Sequence, residues 1–402
     1  MLRVLTLSTL FPDAARPTFG VFVERQTLGL AALPGVEVEV VAPIGLPPEP
    51  LSRHPRWRAF TDLPEQETWK GLTVHRPRFP LLPGLGALNP GSMVRTLGPL
   101  LRRIRQRFPF ELIDAEFFFP DGPAATRLGR TLGVPVSIKA RGADIHHWGH
   151  RRLTRGQVLR AGRDAAGMLA VSAALKADMI ALGLQGEHIR VHYTGVDLAR
   201  FRPAPDRAAA KAALGVAGPL LLSVGALIPR KGHDLVIEAM TRLPDATLMI
   251  AGHGADRARL EALAVTRGLS DRVRLLGTQP HDALPALAAA ADVGVLASAS
   301  EGLANAWVES LACGTPIVIS DVGGAHELLD RPEAGRIVAR EPDAIALAVA
   351  ELLASAPDPD AVRATAERFT WETNALALRD HLTGLAAASS VARGRPAVSE
   401  AV

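Results

Sequence analysis

The chain has 402 residues, 48% of them hydrophobic and 21% charged, with a formal net charge of +4. That length exceeds what one hydrophobic core ordinarily supports, so two domains are expected, and the apolar content excludes a disordered chain. One cysteine, Cys313, excludes an internal disulfide and fits a reducing compartment, which makes the cytoplasm the expected location.

In chain order, LRVLTLST alternates like a strand, and Pro12 ends the apolar run too early for a secretory leader. The helical stretch VERQTLGLAAL leads to VEVEVVAP. FELIDAE, VPVSIKA and GMLAVS are further short strands, with helical stretches such as AALKADMIAL between and after them. Such alternation implies parallel strands joined by crossover helices.

Between these elements, Phe79 to Val94 is uncharged and is followed by Arg95, Arg102, Arg103, Arg105 and Arg107. One reading dips this stretch into a membrane interface while the arginines meet anionic lipid; the other makes it a buried loop beside a solvated helix face. Residues 1–200 carry 26 Lys/Arg against 17 Asp/Glu, and the remainder 19 against 24. The basic half fits either Arg-rich composition or an anionic partner, a membrane surface or a phosphorylated acceptor. Nucleic acid is not expected as a partner, since aromatic residues make up 4% and no binding motif occurs. His146, His147 and His150 have no clear carboxylate partners in spacing and are read as a loop or acceptor wall, not a zinc site.

A second series follows FRPAPDRAAA: PLLLSVGA, ATLMIAG, VRLLG, DVGVLAS, TPIVISD and GRIVA. Ala212 to Pro229 is free of charge, but Gly215, Gly218, Pro219 and Gly225 break it into a helix end, a turn and a strand, so no transmembrane helix is expected. The fold class is therefore α/β, with two Rossmann-like doubly wound domains facing a central cleft and joined near residues 198–210.

The chemistry concentrates in the second series. In SEGLANAWVESLACGTP, residues 300–316, Glu301 and Glu309 stand among small apolar residues with no cation in the segment. A helix beginning near Ala304 or Asn305 and stopping at Gly314 puts Glu301 in the preceding loop and Glu309 on the helix. Its leading N–H groups suit a phosphate, Glu309 suits a ribose diol, and Glu301 suits sugar hydroxyls. Equally open from the spacing alone, Glu301 serves the helix dipole and Glu309 faces solvent. In SVGALIPRKGHD, Arg230 and Lys231 follow a strand and precede a helix, placed for a diphosphate or as a solvated basic turn. No Gly-Lys-Ser/Thr follows, so this is not a Walker loop. In AGHGADRARL, Arg257 takes the third glycine position of a dinucleotide fingerprint, which disfavours a nicotinamide dehydrogenase and leaves Gly252 and Gly254 as a wall of a nucleotide site.

Taken together, SVGALIPRKG, LMIAGHG, VRLLGTQP, the paired glutamates and CGTPIVISDVGGAHELL resemble glycosyltransferase family 4, a large retaining family of GT-B fold. The first half adds ARPTFGVFVERQ, IDAEFFFPDGPAA, IKARGADI, LAVSAALKADMIALG and YTGVDLARFRP, all similar to members that build bacterial polysaccharides. The resemblance implies an acceptor domain of residues 1–200, completed by a crossover helix at about 371–388 after Phe369, Thr370 and Trp371. It implies a donor domain of residues 201–370 and leaves 389–402 as a loose tail. Glu309 would bind the donor ribose, while Glu301 and the backbone of Gly302 and Leu303 hold the sugar beside Ala304 and Asn305. Lys231, with Arg230, would neutralise the diphosphate, and Gly20 would let a loop approach it closely. Arg141 stands where many members carry His, and Asp144 would face the acceptor; Glu301, Lys231 and Arg141 form the expected catalytic set. Ala226 replaces a common Arg, and Tyr193 and Thr194 replace a common Asn, which unsettles the hinge-side contacts.

The implied reaction moves a sugar from a nucleotide-diphosphate sugar to a glycan or lipid-linked acceptor, with no cofactor beyond that co-substrate and no metal; Asp358-Pro-Asp360 reads as a turn and helix cap. The expected setting is the cytoplasm, with peripheral contact on the inner face of the plasma membrane through residues 79–107. The competing readings are a nucleotide-sugar epimerase of similar fold and a catalytically silent nucleotide-binding subunit.

Overall fold

The short apolar runs become strands because helices cover both of their faces; Val4, Leu5 and Leu7 of the first run are all 0% exposed. The computed structural model describes residues 1–82 and 84–394. The chain divides into two compact units, Met1–Tyr193 with the chain from Glu372 onward, and Thr194–Trp371.

The strands of the first unit are β1 (Leu2–Leu7), β2 (Val36–Val41), β3 (Ile44–Leu46), β4 (Gln66–Trp69), β5 (Leu72–His75), β6 (Arg78–Pro80), β7 (Leu112–Ala115), β8 (Val136–Ala140), β9 (Gly167–Ala170) and β10 (Ile189–Val191). Its helices are α1 (Val21–Ala31), α2 (Pro55–Thr61), α3 (Asn89–Arg107), α4 (Asp121–Leu132), α5 (Arg152–Asp164) and α6 (Ala173–Leu182). Among the described residues the main sheet has eight strands in the order β10-β9-β8-β7-β1-β2-β5-β4. All neighbours are parallel except β4 and β5, which form a hairpin.

The second unit comprises α7 (Arg207–Ala213), β11 (Leu220–Val224), α8 (His233–Ala239), β12 (Thr247–Ala251), α9 (Arg257–Thr266), β13 (Val273–Gly277), α10 (Leu284–Ala290), β14 (Val293–Leu296), α11 (Asn305–Ala312), β15 (Ile317–Ser320), α12 (Ala325–Leu328), β16 (Gly335–Val338), α13 (Pro342–Ser355) and α14 (Pro359–Ala364). Its sheet runs β13-β12-β11-β14-β15-β16 with every pair parallel. Strand order therefore reverses between β11 and β14, and the crevice of a doubly wound sheet lies at the carboxyl ends of such a pair. Trp307, Val308 and Leu311 turn one face of α11 into the core, where Cys313 is also buried. Burial, then the Glu309 charge, pushes that thiol up to about 12.

The division falls at Tyr193/Thr194, ahead of the expected join at residues 198–210, because the intervening backbone is bonded into the second unit. Val196 N–H donates to Phe369 O at 2.7 Å, and Arg363 donates to Phe201 O and Leu198 O at 2.7 and 2.8 Å. Correspondingly, α15 (Trp371–Gly394) carries the chain back to the first unit, where Leu378 and Leu382 pack with Val4, Leu30, Leu112 and Leu169. The loose tail expected from residue 389 is corrected: the helix that runs through the Ala- and Leu-rich stretch LTGLAAA continues across SSVARG to Gly394. The rest of that expected tail, residues 395–402, lies outside the described residues.

His381 of α15 sits 3.2 Å from Ser137 Oγ of β8 and is buried. Burial, then the charges of Arg190 and Lys139, lowers its pKa to about 4. A base depressed in the folded state takes up its proton more readily when unfolded, so its stabilising contribution is present above about 6.5 and is lost as pH falls toward about 4. Chemical denaturation across that window should show wild type losing more stability than His381→Gln, by on the order of 1–3 kcal/mol. Parallel curves for the two proteins would contradict the assignment.

Candidate functional site

The two loops that flank the strand-order reversal in the second unit hold each other. After β11, Arg230 and Lys231 precede α8; after β14, Ser300 to Leu303 precede α11. Lys231 Nζ lies 2.5 Å from Glu301 Oε1, and Arg230 Nη1 lies 3.7 Å from Glu301 Oε2. Arg230 also donates to Ser300 O at 2.5 Å, while its own carbonyl accepts from Ala299 N–H at 2.7 Å. Lys231 and Glu301 expose only 14% and 10% of their side chains, so removing one partner strands a largely desolvated charge. Arg230 keeps 38% of its side chain in solvent.

The helix that follows supplies the rest. α11 has no side-chain cap, with Ala304 in extended backbone before Asn305. The amides of its first turn, like those of any helix, lack intrahelical acceptors and point toward an incoming anion. Asn305 Oδ1 accepts from Thr194 Oγ1 at 2.7 Å. Gly302 and Leu303 are buried, and the Gly302 carbonyl accepts from Gly324 N–H at 2.7 Å. One helical turn beyond, Glu309 Oε1 lies 3.0 Å from His281 Nε2, and the His281 ring meets Phe201 edge-on with centroids 5.5 Å apart. Gly254 permits a close passage: a Cβ there would stand 2.1 Å from the Leu227 carbonyl oxygen, in the loop after β11. Arg230, Lys231, Gly254 and residues 301–309 thus meet on the loops and helix start at one end of the β11–β14 pair.

Sequence reasoning left both glutamates without a protein partner, and the structure corrects this. Lys231 serves Glu301 and His281 serves Glu309. The available signal for His281 was its place in LGTQPHDAL, just past the carboxyl end of β13.

In the first unit the corresponding reversal lies between β1 and β7. Gly20 caps α1 with φ +70°, and a Cβ there would stand 2.3 Å from the Leu10 carbonyl oxygen, so the close approach it makes is internal to this unit. Arg141, after β8, donates from Nε to Glu116 O at 2.8 Å, pairs with the Glu116 carboxylate and lies over the Phe22 ring at 4.7 Å. Asp144 does not face an acceptor: it is 0% exposed, and its oxygens accept N–H groups from Phe118, Gly142, Arg141 and Ile145. It anchors a single π-helical turn, Asp144–Trp148, so its role is to shape the loop that carries Arg141. In the same turn His146 pairs with Asp178 at 2.9 Å, a carboxylate partner that spacing did not reveal, and His147 meets Trp148 edge-on.

Beneath Arg141 lies a sealed set of charges that the sequence reading missed, although a lysine inside VPVSIKA was a signal. Lys139 is 0% exposed and donates to Gln26 Oε1, with His192 Nδ1 at 2.6 Å. Burial, then the nearby Arg141 charge, lowers Lys139 to about 7. Burial and the Glu116 charge raise Asp114 well above the usual carboxyl range; burial acts to raise Glu116 too, but Arg141 and Lys139 together hold it low. Asp121, at the start of α4, is pushed up to about 7 by burial despite accepting Thr9 N–H at 2.9 Å. Among the described residues, no group of three or more His, Cys, Asp or Glu side chains is placed to hold a metal ion. Asp358 directly precedes α14 and Asp360 stands in its first turn.

Two family models match the chain. The one described as Glycosyl transferases group 1 covers residues 206–369, and the one described as Glycosyltransferase Family 4 covers residues 20–200. A GDP-mannose-dependent alpha-(1-6)-phosphatidylinositol monomannoside mannosyltransferase of Mycolicibacterium smegmatis is 30% identical over 82% of this chain and 89% of its own length. TuaC of Bacillus subtilis, named for teichuronic acid biosynthesis, is 28% identical over 87% of this chain and 88% of its own. Among solved structures, Anabaena Alr3699/HepE in complex with UDP superposes with a TM-score of 0.73 at 20% identity, covering 96% of this chain and all of that one. Sucrose-phosphate synthase from Thermosynechococcus elongatus superposes with a TM-score of 0.78 at 22% identity, again over 96% of this chain and all of that one.

The loop holding Glu301 tolerates no side chain at Gly323, which has φ +54° and whose Cβ would stand 2.3 Å from the Glu301 carbonyl oxygen. Gly323→Ala should lower stability by about 1–3 kcal/mol in thermal denaturation. An unchanged melting temperature would show that this loop is not fixed as described.

Proposed function

This chain belongs to glycosyltransferase family 4, with the GT-B fold, and is a transferase enzyme of hexosyltransferase type; from that premise we propose that it takes a nucleotide-diphosphate sugar as donor and passes the sugar, with retained configuration, to a glycan or lipid-linked acceptor of the cell envelope. The observation that carries the donor half is the convergence of Lys231, Glu301, Glu309 and the uncapped start of α11 at the strand-order reversal.

Each group has a task in this reading. Departure of the nucleoside diphosphate builds negative charge on the leaving oxygen, and Lys231, Arg230 and the first amides of α11, from Ala304 and Asn305, offset it. His281 holds Glu309 at Oε1, so Oε2 is the oxygen that meets a ribose diol. Glu301 and the backbone of Gly302 and Leu303 hold the sugar beside Gly254. The pairing that fixes Glu301 also fixes the ammonium group, so neither must reorganise when charge develops. Arg141 gives the acceptor-binding unit a cation that never acts as a base, held by the loop that Asp144 anchors. No cofactor beyond the donor, and no metal, is assigned. The envelope setting is supported by the names of TuaC and of the phosphatidylinositol mannoside enzyme.

A thermal-shift panel of UDP-, GDP- and ADP-sugars should single out one nucleotide, since a ligand of the folded state alone raises its melting temperature. For that nucleotide, calorimetry on Glu309→Ala and Lys231→Ala should give affinities at least about tenfold weaker, whereas Glu301→Ala should chiefly lower kcat. Wild-type affinity in both of the first two variants would remove the donor assignment.

A further inference from the structure

The outer surface of α3, α4 and α5 takes no part in the donor chemistry. Of the carboxylates on these helices, Asp121 is buried and Asp164 is bonded to Arg130 at 2.5 Å. The cations are numerous. Arg95, Arg102, Arg152 and Arg160 are exposed and Arg127 is half-buried between them. Two adjoining surface cavities share Arg127 and Gln157: one of about 610 Å³ lined also by Leu82, Leu88 and Arg95, the other of about 440 Å³ lined also by Arg152, Leu153 and Arg160.

Apolar side chains stand out among these cations. Leu82, Leu85, Leu88 and Leu153 are 39%, 51%, 55% and 74% exposed. Gln157 donates to Ala87 O at 2.9 Å, which ties the leucine-bearing turn to α5 and makes the patch continuous. Arg105 and Arg107, which the sequence reading put forward, are spent elsewhere: Arg105 donates to Leu132 O, and Arg107 pairs with Glu39 at 2.6 Å.

We propose that this face docks peripherally on a bilayer surface rich in anionic lipid, with the leucines entering the headgroup boundary and the arginines meeting lipid phosphates. A soluble polyanionic glycan would satisfy the arginines but leave the leucines in water, so the pairing of the two side-chain types selects lipid. No helix of the described residues is long and apolar enough to cross a membrane, which fits a contact that lies on the surface. The inference is independent of how the donor is held.

Sedimentation of the full chain with vesicles of phosphatidylcholine alone, and with added phosphatidylglycerol, tests it. Binding is expected only to the anionic vesicles and should weaken with salt. Arg127→Glu/Arg160→Glu should reduce partitioning by at least about tenfold. Leu85→Ser/Leu88→Ser, which leaves every charge in place, should reduce it at least about threefold. Both variants should keep the wild-type melting temperature and nucleotide-induced thermal shift, which separates failure here from failure of the donor assignment. Absence of vesicle binding by wild type, or equal binding by all three proteins, overturns the proposal. So does retention on dextran sulfate that is lost only in the arginine variant while the leucine variant sediments like wild type, which would mark a polyanion site.

Discussion

The ion pair between Lys231 and Glu301 is the contact on which the second unit's chemistry depends. It joins the loop after β11 to the loop after β14, the two segments that diverge where the strand order reverses. Neither charge is fully in water, and neither has a local partner in sequence. The fold therefore brings together residues 70 positions apart to neutralise them. A backbone bond from Ala299 N–H to the Arg230 carbonyl and a side-chain bond from the Arg230 guanidinium to the Ser300 carbonyl run beside the pair, so the two loops behave as one surface. A surface fixed in this way has its dipoles aimed before a ligand arrives, which is the condition for electrostatic stabilisation without reorganisation.

The first unit solves a harder problem at its own reversal. Lys139, Asp114 and Glu116 lie on or just beyond β7 and β8 with no exposure to speak of, and a lone charge in such a place is costly. The cost is reduced by raising Asp114 well above the usual carboxyl range, which favours its neutral form, by setting Glu116 against Arg141, and by giving Lys139 the side chains of Gln26 and His192. Arg141 is thus the outermost member of a buried series, and its direction is set from beneath. Asp144 completes the arrangement from the side by collecting four backbone amides.

Much of the fold was legible because parallel strands buried on both faces are written as near-continuous apolar runs, and segments such as PLLLSV and TPIVIS carry that pattern plainly. The β4–β5 hairpin was not read. Its strands QETW and LTVH are mostly polar, and its signal is a two-residue turn, Lys70-Gly71, with φ of 49° and 90°. Of the site, the positions of Arg230, Lys231, Glu301 and Glu309 relative to strands and helices followed from order in the chain. Their partners did not: His281 lies 28 positions from Glu309, and spacing carries no information about such contacts. The same limit explains Asp144. A carboxylate in ARGADI looks available to a ligand until tertiary structure wraps the Phe118 amide onto it.

The return of α15 to the first unit has a consequence for biogenesis. Leu378 and Leu382 fill a layer of apolar side chains with Val4, Leu30, Val36, Leu112 and Leu169, and His381 covers Ser137. As the polypeptide leaves the ribosome, the amino-terminal half can pair its strands yet must wait, with that layer uncovered, through synthesis of the whole second unit. Because α15 follows the second unit in the chain yet completes the first, a premature stop codon between Trp371 and Leu378 would spare the second unit and leave the first without its covering layer.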